Sequence, residues 1–107
     1  MSSEYVQILD SKSFDNAISK GVTVVDFWAE WCQPCRMMVP IFEAVAKEMS
    51  GKAKFAKVNI DEAPDVPAKY GIRSIPTLIV LKDGAEAETH VGLMRPDALM
   101  DMVKRHL

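Results

Sequence analysis

The chain has 107 residues, of which 49% are hydrophobic and 26% charged, a balance that supports a packed core and excludes a disordered segment. That length fits one compact unit, so residues 1–107 are expected to form a single domain. A net charge of −2 without a basic cluster argues against nucleic acid as a partner, and no apolar run is long enough to cross a bilayer.

The first strand is expected at Tyr5–Leu9. A helix follows, capped by Ser11 or Ser13, with Phe14, Ala17 and Ile18 on one face and Gly21 as its stop. Val22–Trp28 is rich in β-branched and aromatic residues and reads as a central strand covered on both faces. Near Pro34 a long helix begins, with Met38, Ile41, Phe42, Val45 and Met49 at helical spacing and Gly51 as its stop. Pro40 inside it is expected to kink it. Phe55–Ile60 is the next strand. Between Asp61 and Tyr70, Pro64 and Pro67 leave room only for a short, irregular helix, closed by Gly71. Thr77–Leu81 is a further core strand, and Asp83-Gly84 is a hairpin signal that sets the following strand antiparallel. Pro96 and Asp97 open the last helix, with Leu99, Met102, Val103 and Leu107 on its core face and Lys104, Arg105 and His106 in its final turn. The order β-α-β-α-β-α-β-β-α predicts an α/β fold, a mixed sheet with helices on both faces.

The two cysteines are Cys32 and Cys35, in Trp31-Cys32-Gln33-Pro34-Cys35, between a buried strand and a long helix. A disulfide across two residues closes almost no loop, so it does little for the fold. Redox or metal chemistry accounts for the pair better. Positions three apart on a helix lie on one face, about 5–6 Å apart, within reach of a disulfide. Cys32 falls at the helix N-terminus, where unpaired N–H groups and the helix dipole favour a thiolate. Cys35 is shielded a turn inside. Cys32 is therefore read as the nucleophile and Cys35 as the resolving thiol. Structural zinc would need a second pair of ligands. Only His90 and His106 remain as soft candidates, far along the chain, so no metal is expected. Of the seven methionines, Met38, Met49 and Met102 fall on apolar helix faces and read as core filling rather than copper ligands, and Met94 and Met100 form no site with the two histidines.

Val25-Asp26-Phe27-Trp28-Ala29-Glu30-Trp31-Cys32-Gln33-Pro34-Cys35 resembles the active-site segment of the thioredoxin family. Lys57-Val58-Asn59-Ile60-Asp61, Tyr70-Gly71-Ile72-Arg73-Ser74-Ile75-Pro76-Thr77 and Val91-Gly92 resemble its other landmarks, in order, over nearly the whole chain. The resemblance implies a thioredoxin fold, with a five-stranded mixed sheet flanked by about four helices. It implies a protein-disulfide reductase with no bound cofactor beyond a redox-active Cys32–Cys35 disulfide. Such a protein is recharged by thioredoxin reductase, so that NADPH is used indirectly. Its partners are that reductase and disulfide-bearing proteins. A monomer in the cytoplasm is expected, since Met1–Tyr5 carries no export signal.

Asp26 interrupts an apolar strand on the face of Val24 and Trp28, where lost hydration raises the affinity of a carboxylate for its proton. One reading is a structural carboxylate. The other, which the resemblance supports, is the proton acceptor for Cys35. Lys57 reads by itself as a solvated strand residue, but the resemblance places it near Asp26 as a tuning group. The resemblance also makes the Ile75–Pro76 bond cis beside the cysteines, the backbone there pairing with a bound substrate strand. Trp31, Ile75, Pro76 and Gly92 then form an apolar, substrate-binding collar around Cys32, with Trp28 packed beneath.

The chain departs from the family's usual pattern at three places. Gln33 stands where glycine is most common between the cysteines, beside the retained Pro34, and is expected to tune potential or partner choice. Ser74 replaces a frequent glycine, and Leu93-Met94 makes the segment after Gly92 bulkier. Two rival functions stay open. A disulfide oxidase or isomerase is disfavoured by Pro34, where such relatives carry histidine. A non-catalytic binding subunit is disfavoured by the presence of both cysteines.

Overall fold

Two alternating sets of apolar residues on the strands decide the layering. A computed structural model describes residues 3–107. Its elements are β1 Val6–Leu9, α1 Phe14–Ala17, β2 Val22–Trp28, α2 Gln33–Glu48, β3 Lys54–Asn59, α3 Asp65–Lys69, β4 Thr77–Lys82, β5 Ala85–Val91 and α4 Pro96–Lys104. The five strands form one sheet in the order β1-β3-β2-β4-β5. β3 runs parallel to β1 and β2, β4 antiparallel to β2, and β5 antiparallel to β4. The crossover through α2 sets β3 parallel to β2 and the tight turn sets β5 antiparallel to β4, whereas β4 runs antiparallel to β2 although α3 connects it to β3. At that turn Asp83 and Gly84 have φ of 49° and 86°, the left-handed pair that a two-residue hairpin needs.

Val24, Phe55, Leu78 and Val80 face one side of the sheet, packed against Met38, Phe42 and Val45 of α2, Met49 at its C-cap, and Leu99, Met102 and Val103 of α4. Their strand neighbours Val25, Ala56, Ile79 and Leu81 face the other side, with Phe14 and Ile18 at α1 and Val66 of α3. The sheet is thus covered on both faces, as its near-continuous apolar strands require.

Several sequence expectations shift. The helix α1 is a single turn, and neither Ser11 nor Ser13 caps it through its side chain. Asp10 organises the turn instead, its Oδ1 accepting from the N–H groups of Lys12 and Ser13 at 3.0 and 2.9 Å. Gly21 lies beyond the end of that helix, at the start of β2. β1 and β3 each begin one residue away from expectation, and α3 occupies only the second half of its segment. The helix α2 runs through Pro40 as one element. Leu107 is 52% exposed, not on a core face. The helix α4 ends at Lys104, so the 3.6-residue period that would bring Leu107 inward is already broken. Arg105 and His106 likewise lie past the last helical residue. There they pair with Glu88 of β5, at 2.7 Å each.

Candidate active site

The site begins where β2 leaves the sheet and α2 starts. Cys32 is the N-cap of α2, with an extended backbone at φ −91° and ψ 110°. Its sulfur takes the place of a capping oxygen, accepting from the Cys35 N–H at 3.2 Å. Pro34 sits in the first turn, where its missing N–H would have had no helical partner anyway. Cys32 and Cys35 are joined as a disulfide, with Cα atoms 5.2 Å apart. Cys35 is on the inner face of α2, three residues before Met38, and is 1% exposed. Cys32 is 5% exposed. Ala29, Trp28, Ile60 and Ile75 pack around the pair.

Under α2, Asp26 of β2 and Lys57 of β3 stand directly opposite each other across a parallel pairing. Both are buried, and their strand neighbours on this face, Val24 and Phe55, belong to the layer packed on α2. Neither carboxylate oxygen of Asp26 has a hydrogen-bond partner among the described residues. Burial raises its pKa to about 7, and the positive charge of Lys57 opposes the rise. The Lys57 ammonium lies 4.7 Å from the centre of the Trp28 ring, so that ring shares the cation with Asp26.

The cis Ile75–Pro76 peptide lies on the other side of the sulfurs. Its Ile75 carbonyl is 3.8 Å from Cys32 Sγ. The Pro76 carbonyl accepts from the Gly92 N–H at 2.8 Å, where Gly92 has φ +99°, a value that favours glycine. Trp31 is 66% exposed, and its indole N–H donates to Asp61 at 2.8 Å. Trp31 and Ile75 line one open groove of about 260 Å³, together with Ile60, Pro64, Ile72 and Arg73. Gln33 is exposed beside the sulfurs, and Ser74 is exposed on the approach to Pro76.

Cys32, Cys35, Ile75, Pro76 and Gly92 are thus gathered from three separate stretches of chain, with Asp26 and Lys57 beneath. Asp61, which holds Trp31, escaped the sequence reading as a site residue. Its position at the end of the Lys57–Asp61 landmark was the available signal. Among the described residues no cluster of His, Cys, Asp and Glu forms a metal site, and no helix is long and apolar enough to cross a membrane.

A buried strand delivering a dithiol to a helix N-terminus, facing a cis-proline, defines a thiol–disulfide exchange site. The thioredoxin family model matches residues 5–105. The chain is 46% identical to a thioredoxin of Rickettsia bellii over 98 residues, 90% of this chain and 93% of that one. It is 47% identical to a thioredoxin of Bacillus subtilis, over 90% of this chain and 92% of that one. A mutant thioredoxin from Halobacterium salinarum superposes with a TM-score of 0.88 at 33% identity, covering 99% of this chain and 94% of that one. The chain belongs to the thioredoxin family. It is a thiol–disulfide oxidoreductase working by dithiol–disulfide exchange through Cys32 and Cys35 on disulfide-bearing proteins.

Proposed function

We propose that the protein is a general protein-disulfide reductase in which Cys32 attacks and Cys35 resolves. The observation that carries this is the placement of Cys32 Sγ at the cap of α2, accepting the Cys35 N–H, while Cys35 lies on the buried face. The Cys32 thiolate attacks one sulfur of a substrate disulfide, whose second sulfur leaves as a thiolate. Cys35 gives its proton to Asp26, directly or through a water molecule, and attacks Cys32 Sγ. The mixed disulfide breaks, the second substrate thiolate leaves, and the Cys32–Cys35 disulfide forms. The substrate gains two electrons and the dithiol loses them.

Asp26 suits the proton step because burial holds its pKa at about 7, near the operating range of a general base. Lys57, opposite it, keeps that value from rising further. Trp31, Ile75, Pro76 and Gly92 form the docking rim, the extended backbone beside Pro76 offering hydrogen bonds to a substrate strand. Gln33 and Pro34 tune the sulfurs from the first turn of α2. A thioredoxin reductase returns the two electrons from NADPH. The protein acts as a monomer of one domain over residues 1–107, in the cytoplasm, where a reducing environment keeps the dithiol charged.

Trapping tests the roles. Cys35→Ser is expected to accumulate a covalent adduct with a protein disulfide, and Cys32→Ser to form none. Adduct on the Cys32→Ser variant reverses the assignment. NADPH consumption with a thioredoxin reductase and insulin, abolished by Cys32→Ser, tests the recharging step.

A further inference from the structure

β5 is the outer strand of the sheet, paired only with β4. Two of its side chains tie it to the chain that follows. Glu88 and His90 stand opposite Val80 and Leu78, which belong to the layer packed on α2 and α4, so both point into that layer. Glu88 binds Arg105 and His106 beyond the end of α4. His90 reaches the other end, with its Nε2 3.1 Å from the carbonyl oxygen of Leu93. A carbonyl can only accept, so Nε2–H is the donor.

The segment from Gly92 to Arg95 has few other anchors. The Gly92 N–H bonds to Pro76, and Met94 packs against the α2–α4 core. Arg95 is the N-cap of α4 without a side-chain cap bond. Among the described residues, His90 makes the one side-chain hydrogen bond onto the backbone of residues 92–95. Leu93 meanwhile is 42% exposed, next in chain to the residue bonded to Pro76.

We propose that His90 is a positioning residue for polypeptide substrates. Its bond to the Leu93 carbonyl fixes the Gly92–Leu93 rim beside Pro76, so that a protein disulfide meets a wall already in its binding geometry. A rim that must be ordered on docking costs affinity, and one held in advance does not. The thiol chemistry is untouched, so the effect falls on KM for proteins. This inference rests on the docking role proposed above for Pro76 and Gly92.

The test compares His90→Leu and His90→Thr, which cannot donate to Leu93, with His90→Gln, whose amide N–H₂ can. The substrates are insulin and the small disulfide cystine, with dithiothreitol as reductant and thermal melts as a check on folding. KM for insulin should rise about fivefold in the Leu and Thr variants, the scale of one lost hydrogen bond. Insulin kcat and the cystine rate should hold, and His90→Gln should restore KM. An unchanged insulin KM, a parallel loss on both substrates, or no rescue by Gln overturns the proposal. The docking reading fails separately, if Gly92→Val leaves insulin KM unchanged in protein that melts normally.

Discussion

Asp26 and Lys57 face each other across β2 and β3, both shut away from solvent beneath α2. An acid and a base in register on adjacent strands would ordinarily form an ion pair. Here the pair is incomplete, because the Asp26 oxygens accept no hydrogen bond among the described residues and the Lys57 ammonium lies over the Trp28 ring. Desolvation therefore outweighs attraction, and Asp26 keeps its proton to about pH 7.

That imbalance makes stability depend on pH. The folded pKa of about 7 lies above the ordinary 3.8, so the folded state binds the proton more tightly than the unfolded one. The stabilisation is complete below about pH 4 and disappears as pH rises through 7. At about 1.4 kcal/mol per decade of proton affinity the change is roughly 4 kcal/mol. Asp26→Asn, which is neutral throughout, should be more stable than the parent by about that amount at pH 9 and equal to it at pH 3. Urea unfolding across pH checks this. A constant difference between the two proteins would contradict it.

Lys57→Met removes the charge that lowers the Asp26 pKa, so Asp26 should titrate at higher pH. If Asp26 takes the Cys35 proton, the pH profile of mixed-disulfide resolution moves upward with it. Rapid-quench measurement of adduct decay between pH 6 and 9 reads the shift. An unmoved profile would separate Lys57 from the proton step.

The Asp61 carboxylate holds the exposed Trp31 ring through one charge-assisted hydrogen bond. Asp61→Ala frees the ring over the groove that it lines with Ile75. Insulin KM should rise about threefold to tenfold, the worth of such a bond, with little change in melting temperature. Equal KM in the two proteins would show that the ring needs no tether.

Glu88 joins β5 to the residues after α4, accepting from Arg105 at Nε and Nη2 and pairing with His106. These partners hold its carboxyl down to a pKa of about 2. Because the folded value is depressed, the contribution is present above the ordinary 4.5 and is lost as pH falls through 2. Glu88→Gln should lower the melting temperature at pH 7 and leave it unchanged near pH 1.5. Calorimetry at the two pH values decides it.

Much of this protein was legible in its residues. The β-branched and aromatic runs Val22–Trp28 and Thr77–Leu81, the helical spacing from Met38 to Met49 and the Asp83-Gly84 turn each express a propensity, a period or a φ requirement local to a few residues. The pairing of Cys32 with Cys35 was equally local, since three steps on a helix bring two side chains together wherever that helix lies. Leu107 misled for the converse reason, because spacing cannot reveal where a helix stops.

The order of elements, the dithiol and its position at a helix start follow from the residues alone, because they depend on neighbours within one or two turns. What surrounds them depends on how the folded elements pack together. Asp26 meets Lys57 through the register of two strands separated by all of α2. The Pro76 carbonyl meets Gly92 across a β-hairpin, Trp31 finds Asp61 thirty residues on, and Glu88 meets Arg105 and His106 beyond the end of α4. Such contacts arise from packing, which no local period encodes. They hold the acid, the rim and the ring around a sulfur pair that the chain had already placed.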